Sequence, residues 1–501
     1  MEKKLAQLKE KMRVVQDFEF ISELLFWDQS TYMPPGGAPA RGRQIAMLAE
    51  MQQEKLVDPE IGKLLDALQP WSETLPFDSD EAGFVRATRR VYEQAVKIPP
   101  ALIGERYGHA ADSYQKWTEA RPNNDFKSMQ PFLEKTLDIS RRIADCFPGY
   151  EHIADPLIGF QDYGMKASQI KEIFSQLRRE LVPLAEAILE KEPVDNRVLF
   201  LEYPIDQQED LGIRIVKDFG FDFKRGRLDT THHPFMTNFS LNDVRITTRY
   251  KLNDLGDGLF STMHESGHGM YELGINPAYE ASPLGVGTSA GVHESQSRLW
   301  ENIVGRSRGF WKHYMPIARE IFPDQLGSVS VDQFYKAVNK VSRSLIRTDA
   351  DEVTYNLHVM IRFDLELALL EGSLEIKDLP EVWHTRYQQD LGLRAPDDRD
   401  GVLQDVHWYS DMIGGQFQGY TLGNIISGLF YSRALQDHPD IPDEIAAGRF
   451  GTLHTWLKDH IYQYGSKYTA PELIEKVTGG SLVIDPYMDY LRAKYSEIYE
   501  L

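Results

Sequence analysis

The sequence contains one cysteine, Cys146, among 501 residues, so no disulfide can form within the chain. A chain without cross-links fits a reducing compartment. There is no run of about 18 apolar residues, the length that a membrane-crossing helix requires. The first residues, MEKKLAQLKEKMRVVQDFEF, carry charges throughout and no apolar stretch of signal-peptide length. Positive charge is in deficit: 55 Lys and Arg stand against 76 Asp and Glu, a net charge of −21. Such a field repels phosphate backbones and anionic lipid, which argues against nucleic acid or a membrane surface as a partner. Also missing are low-complexity tracts, repeats of roughly 20–50 residues, and linkers rich in Pro, Gly or Ser. From these absences we expect a soluble, cytoplasmic protein. We also expect one domain over residues 1–501, arranged as two lobes.

What is present is mostly helical. Hydrophobic residues make up 42% of the chain and charged residues 26%, enough to bury a core without staples. In residues 2–27, Leu5, Leu8, Met12, Val15, Phe18, Ile21 and Leu25 recur at steps of three or four, the stripe of an amphipathic helix. Pro34, Pro35, Gly36 and Gly37 end it. Further helical stretches are expected near 39–55, 80–96, 101–119, 128–146, 167–191, 351–371, 419–435, 451–464 and 484–498. Strand-forming residues concentrate in 226–250, GRLDTTHHPFMTNFSLNDVRITTRY, with a turn at Asn242-Asp243. The expected fold class is mainly α with a small β ribbon.

The segment DGLFSTMHESGHGMYELG, 257–274, contains HExxH as His264, Glu265, Ser266, Gly267 and His268. On a helix, positions i and i+4 share a face about 6 Å apart along the axis, so both imidazoles can point at one zinc ion. Glu265 is placed to reach a metal-bound water without being a ligand, which suits a general base. Gly267 and Gly269 lower helix propensity and point to close packing against a neighbour or substrate. A catalytic zinc usually takes three protein ligands. Candidates for the third are Glu272, His293 and Glu294. Glu272 continues the same helix face and would not close around the ion. Glu294 is preferred to His293 because a His₂Glu set keeps the water reactive. Both lie in 289–302, which looks like a second helix with Ser289 as its N-cap.

Five strings in order give a resemblance: DVRIT at 243–247, HESGH at 264–268, HESQ at 293–296, IRTDAD at 346–351 and GVLQDVHW at 401–408. In these the chain resembles the thermostable carboxypeptidase (Taq) family of zinc metallocarboxypeptidases. The resemblance implies a nearly all-helical, two-lobed fold with a deep groove, similar to neurolysin and angiotensin-converting enzyme. It implies a homodimer that removes C-terminal amino acids from peptides with broad side-chain tolerance and poorly at proline. It also implies His264, His268 and Glu294 as zinc ligands and Glu265 as the base. Cobalt or manganese could occupy the same ligands.

A carboxypeptidase must bind a free C-terminal carboxylate, which arginine does best through paired charge-assisted hydrogen bonds. Arg347 and Arg245 are the candidates. The plainer reading pairs them with nearby carboxylates such as Asp351 or Asp243. Arg347 is expected to precede a long helix whose first turn holds Asp349, Asp351 and Glu352. The tetrahedral oxyanion needs a neutral donor, and His407 and Tyr420 are candidates by analogy with similar helical zincins. The plainer reading bonds His407 to Asp405 and places Tyr420 in the core. Of His232 and His233, at least one is expected to line the groove. The competing functions are an oligoendopeptidase or dipeptidyl carboxypeptidase on the same fold, and a silent zinc-containing scaffold. Retention of Glu265 argues against the scaffold.

Overall fold

Helix-forming residues run unbroken from the second position, and the chain opens with a 30-residue helix, Glu2–Thr31, in the computed structural model, which describes residues 1–501. Leu5, Leu8, Met12 and Val15 are buried, as an amphipathic stripe requires. Beyond them the expectation fails. Gln16, Phe20 and Trp27 point inward, and Ile21 is 47% exposed. The expected stripe advances mostly by threes. At roughly 100° per residue, twenty residues carry Leu25 about 200° around the helix from Leu5.

Helices at Ala38–Leu56, Asp80–Lys97, Pro100–Ala120, Phe126–Asp145 and Ala167–Leu189 stand where periodicity places them. Pro59–Ser72 and Ile205–Phe219 are among the helices that stand beyond those expected. The first carries Pro70 inside its last turn. The second buries only Leu211, Ile215, Val216 and Phe219 as large apolar residues, a short stripe. The long helix expected at 351–371 begins at Tyr355, so Asp351 and Glu352 lie ahead of it rather than in its first turn. Asp351 accepts hydrogen bonds from the amides of Val353 and Thr354, both at 3.0 Å. Side-chain acceptors of this kind favour a turn over a helix. Arg347–Asp349 form a separate 3₁₀ turn.

The β-rich segment forms one sheet in the order β1-β3-β2. β1 (Gly226–Thr230) runs parallel to β3 (Asp243–Thr248), and β2 (Met236–Ser240) runs antiparallel to it. The turn falls at residues 241–242, so Asp243 already belongs to β3. Alternation gives the sheet two duties. Val244 and Ile246 are wholly buried. Arg245 and its register partner Thr237 face the other way, toward the N-terminal helix, where Thr237 donates to Glu23 at 2.9 Å. The N-terminal helix therefore covers one face and the HExxH helix the other.

Two apolar cores result. The larger, of 103 residues between Ile98 and Tyr499, contains the helices that carry the site. The smaller, of 15, joins Leu5, Leu8, Ile61, Leu65 and Phe84 to Leu241, Ile275 and Leu284, so the N-terminal helices have a core of their own. No helix is long and apolar enough to cross a membrane.

Candidate active site

The HExxH segment lies in the helix Leu255–Gly274, whose N-cap Asp254 accepts from the Asp257 amide at 3.2 Å. Its close neighbour is the helix Ala290–Arg298, capped as expected by Ser289, which accepts from the Val292 amide at 3.1 Å. The second helix continues as a fully buried π-helical turn, Leu299–Val304. The two helices cross at Gly267. A Cβ there would fall 2.5 Å from the Gln296 carbonyl oxygen, a clash with backbone that no residue but glycine avoids. Gly269 lies against the side chains of Phe221 and Ile246 on the sheet side, 2.7 and 3.1 Å from where a Cβ would stand. Asp162 pins the Ala290–Arg298 helix to Gln418–Asp437, accepting from the Gly291 amide at 2.7 Å and from Gln418 Nε2 at 3.0 Å.

This crossing brings His264, His268 and Glu294 together, with one donor atom of each within 4.8 Å of the others. Glu294 Oε2 is 3.5 Å from His264 Nε2 and 3.4 Å from His268 Nε2. Corners of a tetrahedron with bonds of about 2.0–2.1 Å stand about 3.4 Å apart, so two imidazoles and one carboxylate oxygen fit a zinc ion. Each of the three side chains is held from behind. Glu301 Oε2 is 2.9 Å from His264 Nδ1, His293 Nδ1 is 2.6 Å from His268 Nδ1, and Arg298 Nε donates to Glu294 Oε1 at 2.7 Å. Arg298 also donates to Glu301 at 3.1 Å. His293 Nδ1 is turned to His268 rather than into the cluster, and Glu272 is buried with Oε1 2.9 Å from His293 Nε2.

Electrostatics separates the carboxylates. Burial alone would raise Glu294 and Glu301. The Arg298 charge and the histidines outweigh it and hold both well below the ordinary carboxylate range. Glu265 has no such cation in contact, and burial pushes it up to about 7. One of its oxygens, Oε2, is buried without a hydrogen-bond partner. An unpartnered carboxylate oxygen beside a ligand cluster is placed to take a proton. Burial holds His268 down, to about 3, while for His264 it is outweighed by Glu294 and Glu301, which keep its pKa above the ordinary value.

A cavity of about 340 Å³ opens on His268, His293 and Glu294 and continues past His407, Gln416 and Tyr420. Here the second half of the site gathers around Asp405. Arg347 Nε and Nη2 donate to its two oxygens at 2.6 and 3.2 Å, and Arg362 Nε donates at 2.9 Å. His407 Nδ1 is 2.6 Å from Asp405 Oδ1, and His407 Nε2 is 3.2 Å from the Tyr420 hydroxyl. Burial opposes charge on Asp405, but Arg362 and Arg347 hold its carboxyl well below the usual range. Two guanidiniums against one carboxylate leave one positive charge in excess. Arg347 thus pairs with Asp405, not Asp351, and its Nη1 reaches the Tyr355 hydroxyl at 3.0 Å. Arg245 is placed apart from this group. It pairs with Asp243 at 3.0 Å and stacks on Trp27 and Phe239, 4.2 and 4.7 Å from the ring centres. His232 and His233 are both exposed, and neither lines the cavity.

Sequence reasoning missed Arg298, Glu301 and Arg362. For the first two a signal exists: they stand four and seven residues after Glu294, on the same helical face. Arg362 has none, because its partner Asp405 is 43 residues away.

Known proteins resemble the chain over nearly its whole length. The family model for carboxypeptidase Taq (M32) metallopeptidases matches residues 7–495. Thermostable carboxypeptidase 1 of Thermus thermophilus is 38% identical over 490 residues, 96% of either chain. The crystal structure of an M32 carboxypeptidase from Deinococcus radiodurans is 48% identical and superposes over the whole of both chains with a TM-score of 0.97. The structure of a Pyrococcus furiosus carboxypeptidase, 33% identical, covers 98% of this chain and 99% of its own with a TM-score of 0.95.

Proposed function

The chain belongs to the carboxypeptidase Taq (M32) family of metallopeptidases and is a peptide hydrolase, and from that premise we propose a zinc-dependent removal of single C-terminal amino acids from peptides. The observation that carries the reading is the convergence of His264, His268 and Glu294 beside the unpartnered Glu265, at one end of a cavity whose other end holds His407 and Tyr420. Bound to those three side chains, zinc supplies Lewis acidity toward water and the peptide carbonyl. Cobalt or manganese would fit the same donors. Glu265 accepts the proton of the attacking water and returns it to the departing amine. Its pKa near neutrality suits both transfers. Tyr420 donates a hydrogen bond to the oxygen that gains charge, and His407 donates from Nε2 in its imidazolium form, because Nδ1 already gives its proton to Asp405. Asp405 fixes the His407 ring through Nδ1, which leaves Nε2 toward the cavity.

Selection of a chain end is assigned to the excess positive charge around Asp405. Arg347 keeps outer N–H edges free beyond its bonds to Asp405 and Tyr355, and those edges can receive a terminal carboxylate. Arg245 is the second arginine to test, although its bond to Asp243 and its stacking on Trp27 favour a role in holding the sheet to the N-terminal helix. Broad side-chain tolerance with poor cleavage at proline, a homodimer, a cytoplasmic location and one two-lobed domain over residues 1–501 complete the proposal. The two apolar cores support the two lobes.

The test is amino-acid release from a short unblocked peptide. We expect release that stops with a chelator and returns when zinc is added. Cleavage of an internal peptide bond with both ends blocked would instead indicate the endopeptidase.

A further inference from the structure

The two histidine ligands are held differently. Behind His264 stands a carboxylate, Glu301; behind His268 stands a second imidazole, His293. A histidine that binds metal through Nε2 carries its proton on Nδ1. The His268 Nδ1 proton then points at His293 Nδ1, 2.6 Å away, and only a bare nitrogen can accept it. His293 must therefore be the tautomer protonated on Nε2, and that proton points at Glu272 Oε1, 2.9 Å away. Glu272 is built to receive it. Oε1 also accepts from the Gly287 amide at 2.9 Å, and Oε2 from Asn238 Nδ2 of β2 at 3.1 Å.

The ring is packed on two sides. It lies against Tyr271, with ring centres 5.0 Å apart, and against Gly287, where a Cβ would fall 2.5 Å from the His293 ring. Glu272 is one helical turn beyond His268 on the same helix. The chain His268–His293–Glu272 thus closes on itself, with its middle member supplied by the neighbouring helix.

We infer that His293 is a positioning residue for the metal ligand His268, fixing its tautomer and ring orientation through a one-way hydrogen-bond chain that ends on Glu272. The inference rests on the metal-site reading above. Two variants separate acceptor from bulk: His293→Phe fills the space without an acceptor, and His293→Asn places a carbonyl oxygen near the position of Nδ1. The zinc dissociation constant of each, by chelator competition, should rise about 10–100-fold for Phe, with most of the loss recovered by Asn. Equal affinity of parent and Phe variant, or equal losses in both variants, would overturn it. If the Phe variant does not fold, the parent decides. Isotope-labelled histidine nitrogen resonances of the zinc-loaded protein should place the His293 proton on Nε2, and a proton on Nδ1 overturns the inference. A parent that binds no zinc sinks the metal reading itself, whereas a binding parent with unaffected variants sinks this inference alone.

Discussion

Arg298 grips one oxygen of Glu294, Oε1 at 2.7 Å, and so leaves the other, Oε2, as the one that faces His264 and His268. The guanidinium settles which oxygen of the carboxylate is turned to the two histidines. Its second hydrogen bond, to Glu301, puts one cation between two buried anions.

Removing that cation leaves Glu294 buried without an arginine and Glu301 with Arg306 alone, whose Nη2 donates to it at 3.1 Å. Arg298→Ala should destabilise the metal-free protein by about 3–5 kcal/mol, the usual cost of breaking a buried ion pair from one side. Urea unfolding in the presence of chelator measures it. A loss below about 1 kcal/mol, typical of an exposed pair, would show that the arrangement is not structural.

For Glu265→Gln, amino-acid release should fall by about two to four orders of magnitude while the metal content stays at one ion per chain. Elemental analysis and initial rates on the same preparation supply both numbers. Unchanged turnover would remove Glu265 from the chemistry.

Arg347 should matter for the chain end and not for the peptide bond. We expect the parent to prefer a free acid over its amide. Arg347→Ala should shrink the ratio of the two kcat/KM values by roughly two orders of magnitude. A general loss of activity that leaves this ratio unchanged would mean that Arg347 only supports Asp405.

Glu366 gives a pH dependence with a definite sign. Burial raises its pKa from 4.5 to about 7, although Trp408 Nε1 donates to it at 2.9 Å. A raised folded pKa means that the folded chain binds the extra proton. The stabilisation is complete below about pH 4.5 and is lost as pH rises to about 7, a difference on the order of 3 kcal/mol. Glu366→Gln keeps an acceptor for Trp408 and should flatten that slope. Urea midpoints of parent and variant at either end of the window test it, and parallel curves would refute it.

Much of the site was legible because its chemistry repeats at helical spacing. His264 and His268 are one turn apart, Ser289 announces the second helix, and Glu294 follows within two turns. Gly267 also read correctly as a close approach, since glycine inside a helix needs a reason. The role of Asp405 was hidden, because a side chain's partner 43 or 58 residues away leaves no local pattern. The drift of the N-terminal stripe had a different cause: steps of three and of four look alike over one turn and diverge over five. The choice between His293 and Glu294 needed the third dimension, since adjacent residues on one helix differ only in the direction they face.

The two duties of the sheet have a consequence for how the gene can change length. In β2, Thr237 holds the N-terminal helix and Asn238 holds Glu272, so neighbouring positions serve opposite faces. Inserting or deleting a single codon within the strand would swap them and release both at once, whereas added residues at 241–242 would leave the pairing in place. Length variation among natural variants should therefore spare the five residues of the strand.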